Sequence, residues 1–356
     1  MEMYEDHVRL KKTALLPEFT SAYQDFRYYA SSVTPAIKLA VNVLKPVTGK
    51  PASMLVKLHG WHMSMPEPQK RDAPSEHTEE YLIVQVDMRG RAFSEGEADC
   101  NGYELMDAYD AIEFVKSEYA AYLSDPEIVY LEGGSGGGGN VLAMLGKFPD
   151  TFAAASAFYP ISDYARWYGQ DQTGEFRDDM DIWIGCTPDE ELERYEARSG
   201  LHLAGNLQTP LYMVHGDGDI RVPVAHARAY ASRAQDLGKA RLVQYEELPG
   251  VGGQGHLDGI TAERLTAMQQ AADSHRRCHD KPVSIPDQGT LRIGGYLYTK
   301  HFQIVLDSLN YVAEVAYCLS AGTYEIRAER PYPYTLWLRD GGVVRGSCKV
   351  GQNEMS

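Results

Sequence analysis

Apolar and polar residues alternate along residues 37–46, IKLAVNVLKP, until a proline stops the run, as in a strand. Two denser apolar runs, SMLVKLHG (53–60) and YLIVQVDMRG (81–90), each stop at glycine. Such runs suit strands buried on both faces of a sheet. The period then changes. In YELMDAYDAIEFVKSEY (103–119), Leu105, Ala108, Ala111, Ile112 and Val115 fall on one helical face. IVYLEGG (128–134) reads as a strand, NVLAMLGKF (140–148) as a helix, and FAAASAFYP (152–160) and TPLYMVHGD (209–217) as further strands. VAHARAYASRAQDLG (224–238) is a helix that ends at glycine, ARLVQYEEL (240–248) a strand, and TAERLTAMQQAADSHRR (261–277) a helix. This alternation predicts an α/β fold, with a mostly parallel sheet flanked by helices and joined by right-handed crossovers.

Residues 164–207 interrupt the alternation with Trp167, Tyr168 and Trp183, and read as a lid-like insertion placed to cover a site. TPDE predicts a helix start there: Thr187 caps, Pro188 fits the first turn and Glu190 closes a capping box. After Asp280 the texture becomes strand-like, with turn glycines and prolines. Residues 283–356 therefore read as a small β-rich domain following a catalytic domain at 1–282. Its aromatics, Tyr296, Tyr298, Tyr332, Tyr334 and Trp337, would allow sugar stacking, although an ordinary sheet core uses aromatics in the same way.

Composition narrows the function classes. The formal net charge of the 356 residues is -16, which repels phosphate backbones and argues against a nucleic-acid partner. No apolar stretch is long enough to cross a bilayer, so no membrane partner is expected. MEMYEDHVRLKK carries no apolar run after its charges, and a cytoplasmic protein is the expectation. The five cysteines lack metal-finger spacing and suit a reducing compartment.

YLEGGSGGGGN (130–140) flanks one serine with two glycines before it and four after. Three chemistries use such a turn. Gly133, Gly134, Ser135, Gly136 and Gly137 match G-x-S-x-G, the elbow that projects a nucleophile from a sharp strand-to-helix turn. Gly134, Gly136 and Gly139 also satisfy G-x-G-x-x-G, a dinucleotide loop, with Asp163 in range of a ribose. A phosphate-binding P-loop fails, because no Lys-Ser or Lys-Thr pair follows at the right spacing. The rest of the chain favours the elbow. A serine nucleophile needs a base and an orienting carboxylate, which arrive after later strands in the order Ser, acid, His. LYMVHGDGDIRVP (211–223) ends one strand with Asp217 and Asp219, and LPGVGGQGHLDG (248–259) ends the next with His256.

These segments resemble those of α/β-hydrolases of the prolyl oligopeptidase type, and of the cocaine esterase, X-prolyl dipeptidase and acetyl xylan esterase groups. HGDGDIRVP is similar to their H-G-x-x-D-x-x-V-P, which implies Asp219 rather than Asp217 as the acid. GQGH is similar to the loop of the catalytic histidine, VDMRGRAFSEG (86–96) to their D-x-R-G segment, and FYPISDYARWY to the loop after the next strand. The likeness covers roughly residues 30–277. It implies an α/β-hydrolase fold and a Ser135–Asp219–His256 triad with no cofactor. The backbone N–H of Gly136, directly after the nucleophile, is one expected oxyanion donor. The second, by resemblance to the H-G-aromatic loop of acetyl xylan esterases, is that of Trp61. Glycine at 136 replaces a commonly bulky residue and is expected to widen the pocket. Trp61, Trp167 and Trp183 are candidates for touching substrate.

Other polar residues have quieter readings. His59 and His62 in HGWH, with no third ligand nearby, read as structural rather than metal-binding. Arg89 is expected to brace its loop by an ion pair, Asp217 to cap a turn, and Asp178, Asp179 and Asp181 to form a solvated face. No large β-propeller segment precedes the hydrolase part. No acidic pair stands out to hold a peptide's amine, Glu79-Glu80 being the nearest. Ester cleavage of a small-molecule or carbohydrate substrate is therefore the first expectation, a prolyl oligopeptidase-type exopeptidase or small oligopeptidase the second, and a homo-oligomer is possible.

Overall fold

The structure is a computed structural model and describes residues 15–70, 73–74, 80–171 and 173–351. Glu79 lies outside them; Glu80 is exposed and pairs with Arg277.

Among the described residues the first sheet has nine strands in the order β1-β2-β3-β5-β4-β6-β7-β8-β9. They are β1 (Phe19–Thr20), β2 (Gln24–Ala30), β3 (Lys38–Leu44), β4 (Ser53–Leu58), β5 (Tyr81–Val86), β6 (Val129–Gly134), β7 (Ala154–Phe158), β8 (Leu211–Gly216) and β9 (Val243–Leu248). From β5 to β9 every neighbour runs parallel, while β1, β2 and β3 form an antiparallel edge. The helices that follow strands are α1 (Tyr103–Glu118), α2 (Gly136–Lys147), α6 (Ala225–Asp236) and α7 (Ala262–Arg277). The strands are apolar on both sides because each side has its own cover. Val56, Leu58, Val84, Val86 and Leu131 pack with α1 and α2 residues such as Ile112 and Leu145. Tyr212 and Val214 pack with Met268 and Ala272 of α7. This is the α/β-hydrolase fold.

Two boundaries differ from expectation. The helix expected from Asn140 begins at Gly136, so the glycine run forms its first turn. Glycine is a poor helix former, but here no larger residue fits. A Cβ on Gly137 would lie 2.6 Å from the Leu58 carbonyl oxygen, and one on Gly138 2.9 Å from that of Phe158. The TPDE contact does form, with Glu190 Oε2 accepting from the Thr187 N–H at 2.9 Å. It closes a lone turn, because Glu191 is extended (φ -145°, ψ 80°) and the next helix starts only at Leu192.

Residues 164–207 fold as α3 (Tyr164–Gln170), α4 (Arg177–Trp183), α5 (Leu192–Glu196) and a short 3-10 turn at Ala204–Asn206. Asp163, the ribose candidate, caps α3 by accepting from the Arg166 N–H at 3.2 Å.

Among the described residues the second sheet has eight strands, β10 (Gln288–Gly294), β11 (Tyr296–Tyr298), β12 (Phe302–Leu306), β13 (Val312–Cys318), β14 (Thr323–Ala328), β15 (Pro333–Leu338), β16 (Val343–Ser347) and β17 (Lys349–Val350), in the order β16-β15-β12-β11-β10-β13-β14-β17. It packs against the end of α2 remote from Ser135. Phe148 meets the rings of Tyr296 and Tyr298, and the Tyr296 hydroxyl donates to the Gly102 carbonyl at 2.8 Å. Lys147 is buried there, lies over the Tyr296 ring and donates to the Gly294 carbonyl; burial pushes its ammonium down to about 7. Glu193 on α5 accepts from the Val312 N–H and from the Tyr332 hydroxyl, each at 2.8 Å. Tyr296 and Tyr332 are thus interior residues rather than a sugar platform, while Trp337 stays exposed.

Candidate active site

β6 ends at Gly134, and Ser135 follows with φ 56° and ψ -122°, a left-handed conformation that costs a serine free energy. The surrounding bonds hold it there: the Ser135 N–H donates to Phe158 O at 2.9 Å, and its own carbonyl accepts from the Gly139 N–H at 3.0 Å. The hydroxyl therefore stands at the N-terminus of α2, where backbone N–H groups and the helix dipole favour negative charge.

The two expected oxyanion donors are neighbours. A Cβ on Gly136 would lie 2.6 Å from the backbone nitrogen of Trp61. That closeness also corrects the expectation of a wider pocket, since the Trp61 backbone fills the space a side chain at 136 would take.

Asp219 and His256 come from the loops after β8 and β9, which are stitched by backbone hydrogen bonds. Gly218 N–H donates to Val251 O at 2.9 Å and Ile220 N–H to Gly253 O at 3.2 Å. Gly252 has φ +114°, and a Cβ there would meet the Asp219 nitrogen at 2.3 Å, so only glycine lets the loops touch. Asp258 closes the histidine turn by accepting from the Gly255 N–H at 2.7 Å. The outcome is a 2.6 Å hydrogen bond from His256 Nδ1 to Asp219 Oδ2. Asp219 Oδ1 accepts from the Arg221 and Val222 N–H groups, each at 3.0 Å. Burial alone would raise the Asp219 carboxyl. Hydrogen bonds from His215 and His256, with the charge of His256, outweigh it and hold the group well below the usual carboxylate range. An ionised Asp219 can only accept, so Nδ1 of His256 carries the proton and Nε2 of the neutral ring keeps a free lone pair.

Tyr159, which the residue pattern did not single out, connects the histidine to the elbow. It follows β7 with φ 39°. A Cβ on Gly134 would lie 2.9 Å from its ring, and the ring stacks on His256 at 4.5 Å between centroids.

Trp61, Trp167 and Trp183 do come together, in one aromatic cluster with Tyr164 and Phe176. Trp167 is 1% exposed and its indole N–H donates to Arg221 O at 2.8 Å, so it packs rather than touches substrate, contrary to expectation. Trp183 keeps part of its surface and lies 4.7 Å from the Trp61 ring. His59 and His62 face apart. His59 Nδ1 donates to Gly60 O at 2.9 Å while Nε2 accepts from the Met88 N–H, and burial, then the Arg91 charge, hold it down to about 3. His62 turns to Asp179. Asp179 is 2% exposed, not part of a solvated face, although Asp178 is exposed. Arg89 braces its loop through Asp107, and Asp217 accepts from the Gly250 N–H at 2.7 Å.

One recess, about 560 Å³, lies between α5 and the second sheet, lined by Glu193, Arg292 and Arg327; Ser135 is not among its lining residues. Another, about 460 Å³, lies mainly between α7 and the strands, lined by Tyr81, Glu132 and Arg276 with Tyr159 and Leu257 also in its walls; none of Ser135, Asp219 and His256 lines it.

The model of the prolyl oligopeptidase family matches residues 76–264, more than half of the chain. The chain belongs to this family. Its fold is that of the α/β-hydrolases. Among curated relatives, acylamino-acid-releasing enzyme 1 of Oryza sativa is 23% identical over 208 residues, covering 54% of this chain and 26% of that protein. The chain thus spans about a quarter of that relative's length. Among solved structures, the Pyrococcus horikoshii acylaminoacyl peptidase superposes with a TM-score of 0.56 at 24% identity, covering 74% of this chain and 43% of that one. The Pyrococcus furiosus esterase PF2001 has a TM-score of 0.51 at 14% identity, covering 76% of this chain and 99% of that one. These two likenesses concern the fold.

Proposed function

We propose that the protein is a serine hydrolase that cleaves short N-acylated peptides or related amides through an acyl-enzyme, with Ser135 as nucleophile, His256 as general base and acid, and Asp219 as the group that orients His256. The 2.6 Å Asp219–His256 bond, together with a strained Ser135 at the N-terminus of α2, carries the reading. His256 Nε2 takes the Ser135 proton as the hydroxyl attacks the carbonyl carbon, then returns it to the leaving amine. The N–H groups of Gly136 and Trp61 receive the oxyanion, and water repeats the steps in reverse to release the acid. Trp183, partly open beside Trp61, is the one of the three candidate tryptophans that keeps surface for a substrate.

The name of the rice relative supports amide over ester cleavage and reverses the order that residue patterns suggested. Carboxylic esters are the second reading, supported by the H-G-aromatic form of the Trp61 loop.

The test is turnover of N-acetyl-aminoacyl p-nitroanilides against p-nitrophenyl acetate and butyrate, with Ser135→Ala as control. Anilide turnover with kcat/KM comparable to the esters, lost in the variant, is expected. Ester turnover alone would select the second reading.

A further inference from the structure

The insertion holds the loop that carries one of the two oxyanion donors. Asp179, on α4, is 2% exposed, and its Oδ2 accepts twice from that loop. One bond comes from the Trp61 indole N–H at 2.9 Å, the other from His62 Nε2 at 2.6 Å. Both partners are buried themselves, Trp61 at 8% and His62 at 5% exposure. Aromatic contacts continue the clamp: Trp183 of α4 lies on Trp61, and Phe176, just before α4, stacks on His62 at 5.5 Å. The Trp61 backbone is in turn pressed against Gly136. A side chain at 179 therefore reaches the oxyanion hole through one residue.

We infer that Asp179 is a positioning residue that fixes the Trp61 N–H towards the carbonyl oxygen on Ser135, making the insertion part of the catalytic apparatus rather than only a cover. The inference rests on the serine-hydrolase reading of Ser135. Its physical basis is geometric. An oxyanion donor acts only when its hydrogen is aimed at the place where charge develops, and it must be held there before the reaction. A loop residue has few ways to be held. Here the two consecutive side chains of the loop end on one carboxylate. Removing that carboxylate takes a buried acceptor from the Trp61 indole N–H, loosens His62, and frees the Trp61 peptide to rotate.

The predicted signature is a loss in kcat with little change in KM, because the donor acts on the tetrahedral species more than on the bound substrate. Asp179→Ala is expected to lower kcat by about 10- to 100-fold, below the roughly 100- to 1,000-fold for outright loss of one oxyanion donor. Asp179→Asn, whose Oδ1 still accepts, should fall between wild type and Asp179→Ala. Asp178→Asn, on the exposed side of the same helix, serves as the unaffected control. A trifluoromethyl ketone, which forms a tetrahedral adduct on the serine, should lose affinity in step with kcat/KM, whereas a change confined to packing would not track it. A folded Asp179→Ala protein with kcat within twofold of wild type overturns the inference. Should that variant not fold, Asp179→Asn decides: a kcat loss of about fivefold or more at constant KM supports the role, and wild-type kcat overturns it. A wild-type protein without Ser135-dependent turnover would instead sink the underlying reading, so the two failures are distinct.

Discussion

The ring of Tyr159 lies parallel to the imidazole of His256, with 4.5 Å between centroids and 9° between planes. The stack covers one face of the proposed base and restricts its rotation. Aromatic pairs of this kind contribute about 0.5–1.5 kcal/mol. Tyr159→Ala is therefore expected to lower kcat by roughly 2- to 10-fold, whereas Tyr159→Phe, which keeps the ring, should stay within twofold. Steady-state kinetics on both variants check this, and equal losses in both would remove the ring from the account.

Gly136→Ala tests the oxyanion geometry from the other side. The new Cβ would fall 2.6 Å from the Trp61 nitrogen and 2.8 Å from its Cα, both backbone atoms that cannot swing aside. The loop must retreat and take its N–H with it. A kcat loss of at least about 100-fold in a folded protein is expected, with circular dichroism to confirm the fold.

Asp219→Asn should preserve the shape of the site and lose its chemistry. A neutral amide at 219 can donate to Nδ1 and so favour the wrong tautomer of His256. The expected drop in kcat is up to about 10⁴-fold. Asp217→Asn, a turn acceptor for the Gly250 N–H, should lose little by comparison.

Several buried imidazoles make stability depend on pH. Burial holds His226 down to about 3 from 6.5, as it does His59, and holds His275 down to about 4. Between the folded and unfolded values the unfolded chain binds more protons, so stability falls as pH drops from about 6.5 towards 4. Glu104, pushed up to about 7 by burial and by Asp99, takes up its proton in the folded state over the same range and offsets part of this. Asp87, Asp107, Asp110 and Asp150, all raised by burial, oppose it just above their usual range. His226 alone should contribute about 2–3 kcal/mol of the change between pH 6.5 and 4.5. Calorimetry should show a fall in Tm between these two pH values that is smaller in His226→Gln. An equal fall in the variant would mean that His226 does not stay neutral on burial.

Much of this was legible in the residue order because the signals are local. Strand runs that stop at glycine, a serine in a glycine turn, and an aspartate and a histidine each ending a later strand need no knowledge of distant neighbours. What was missed depends on long-range packing. Asp179 sits in RDDMD, a segment that reads as solvent-facing, and its partners lie 117 and 118 residues earlier. Nothing near it in sequence announces them. Tyr159 is one aromatic among many until β7 brings it over Gly134. The glycines at 136–138 read as a loop because their propensity disfavours a helix, yet the carbonyls of Leu58 and Phe158 leave room for nothing else. Position 136 seemed to promise space for the same reason: the Trp61 backbone that fills it comes from another strand's loop.

The most direct test of the central claim is intact-protein mass spectrometry after incubation with an alkyl fluorophosphonate, which phosphonylates only a serine activated by its neighbours. One adduct is expected, mapped to Ser135, absent in Ser135→Ala and formed far more slowly in His256→Ala. Folded wild-type protein that stays unlabelled, or that is labelled elsewhere with Ser135 untouched, would contradict it.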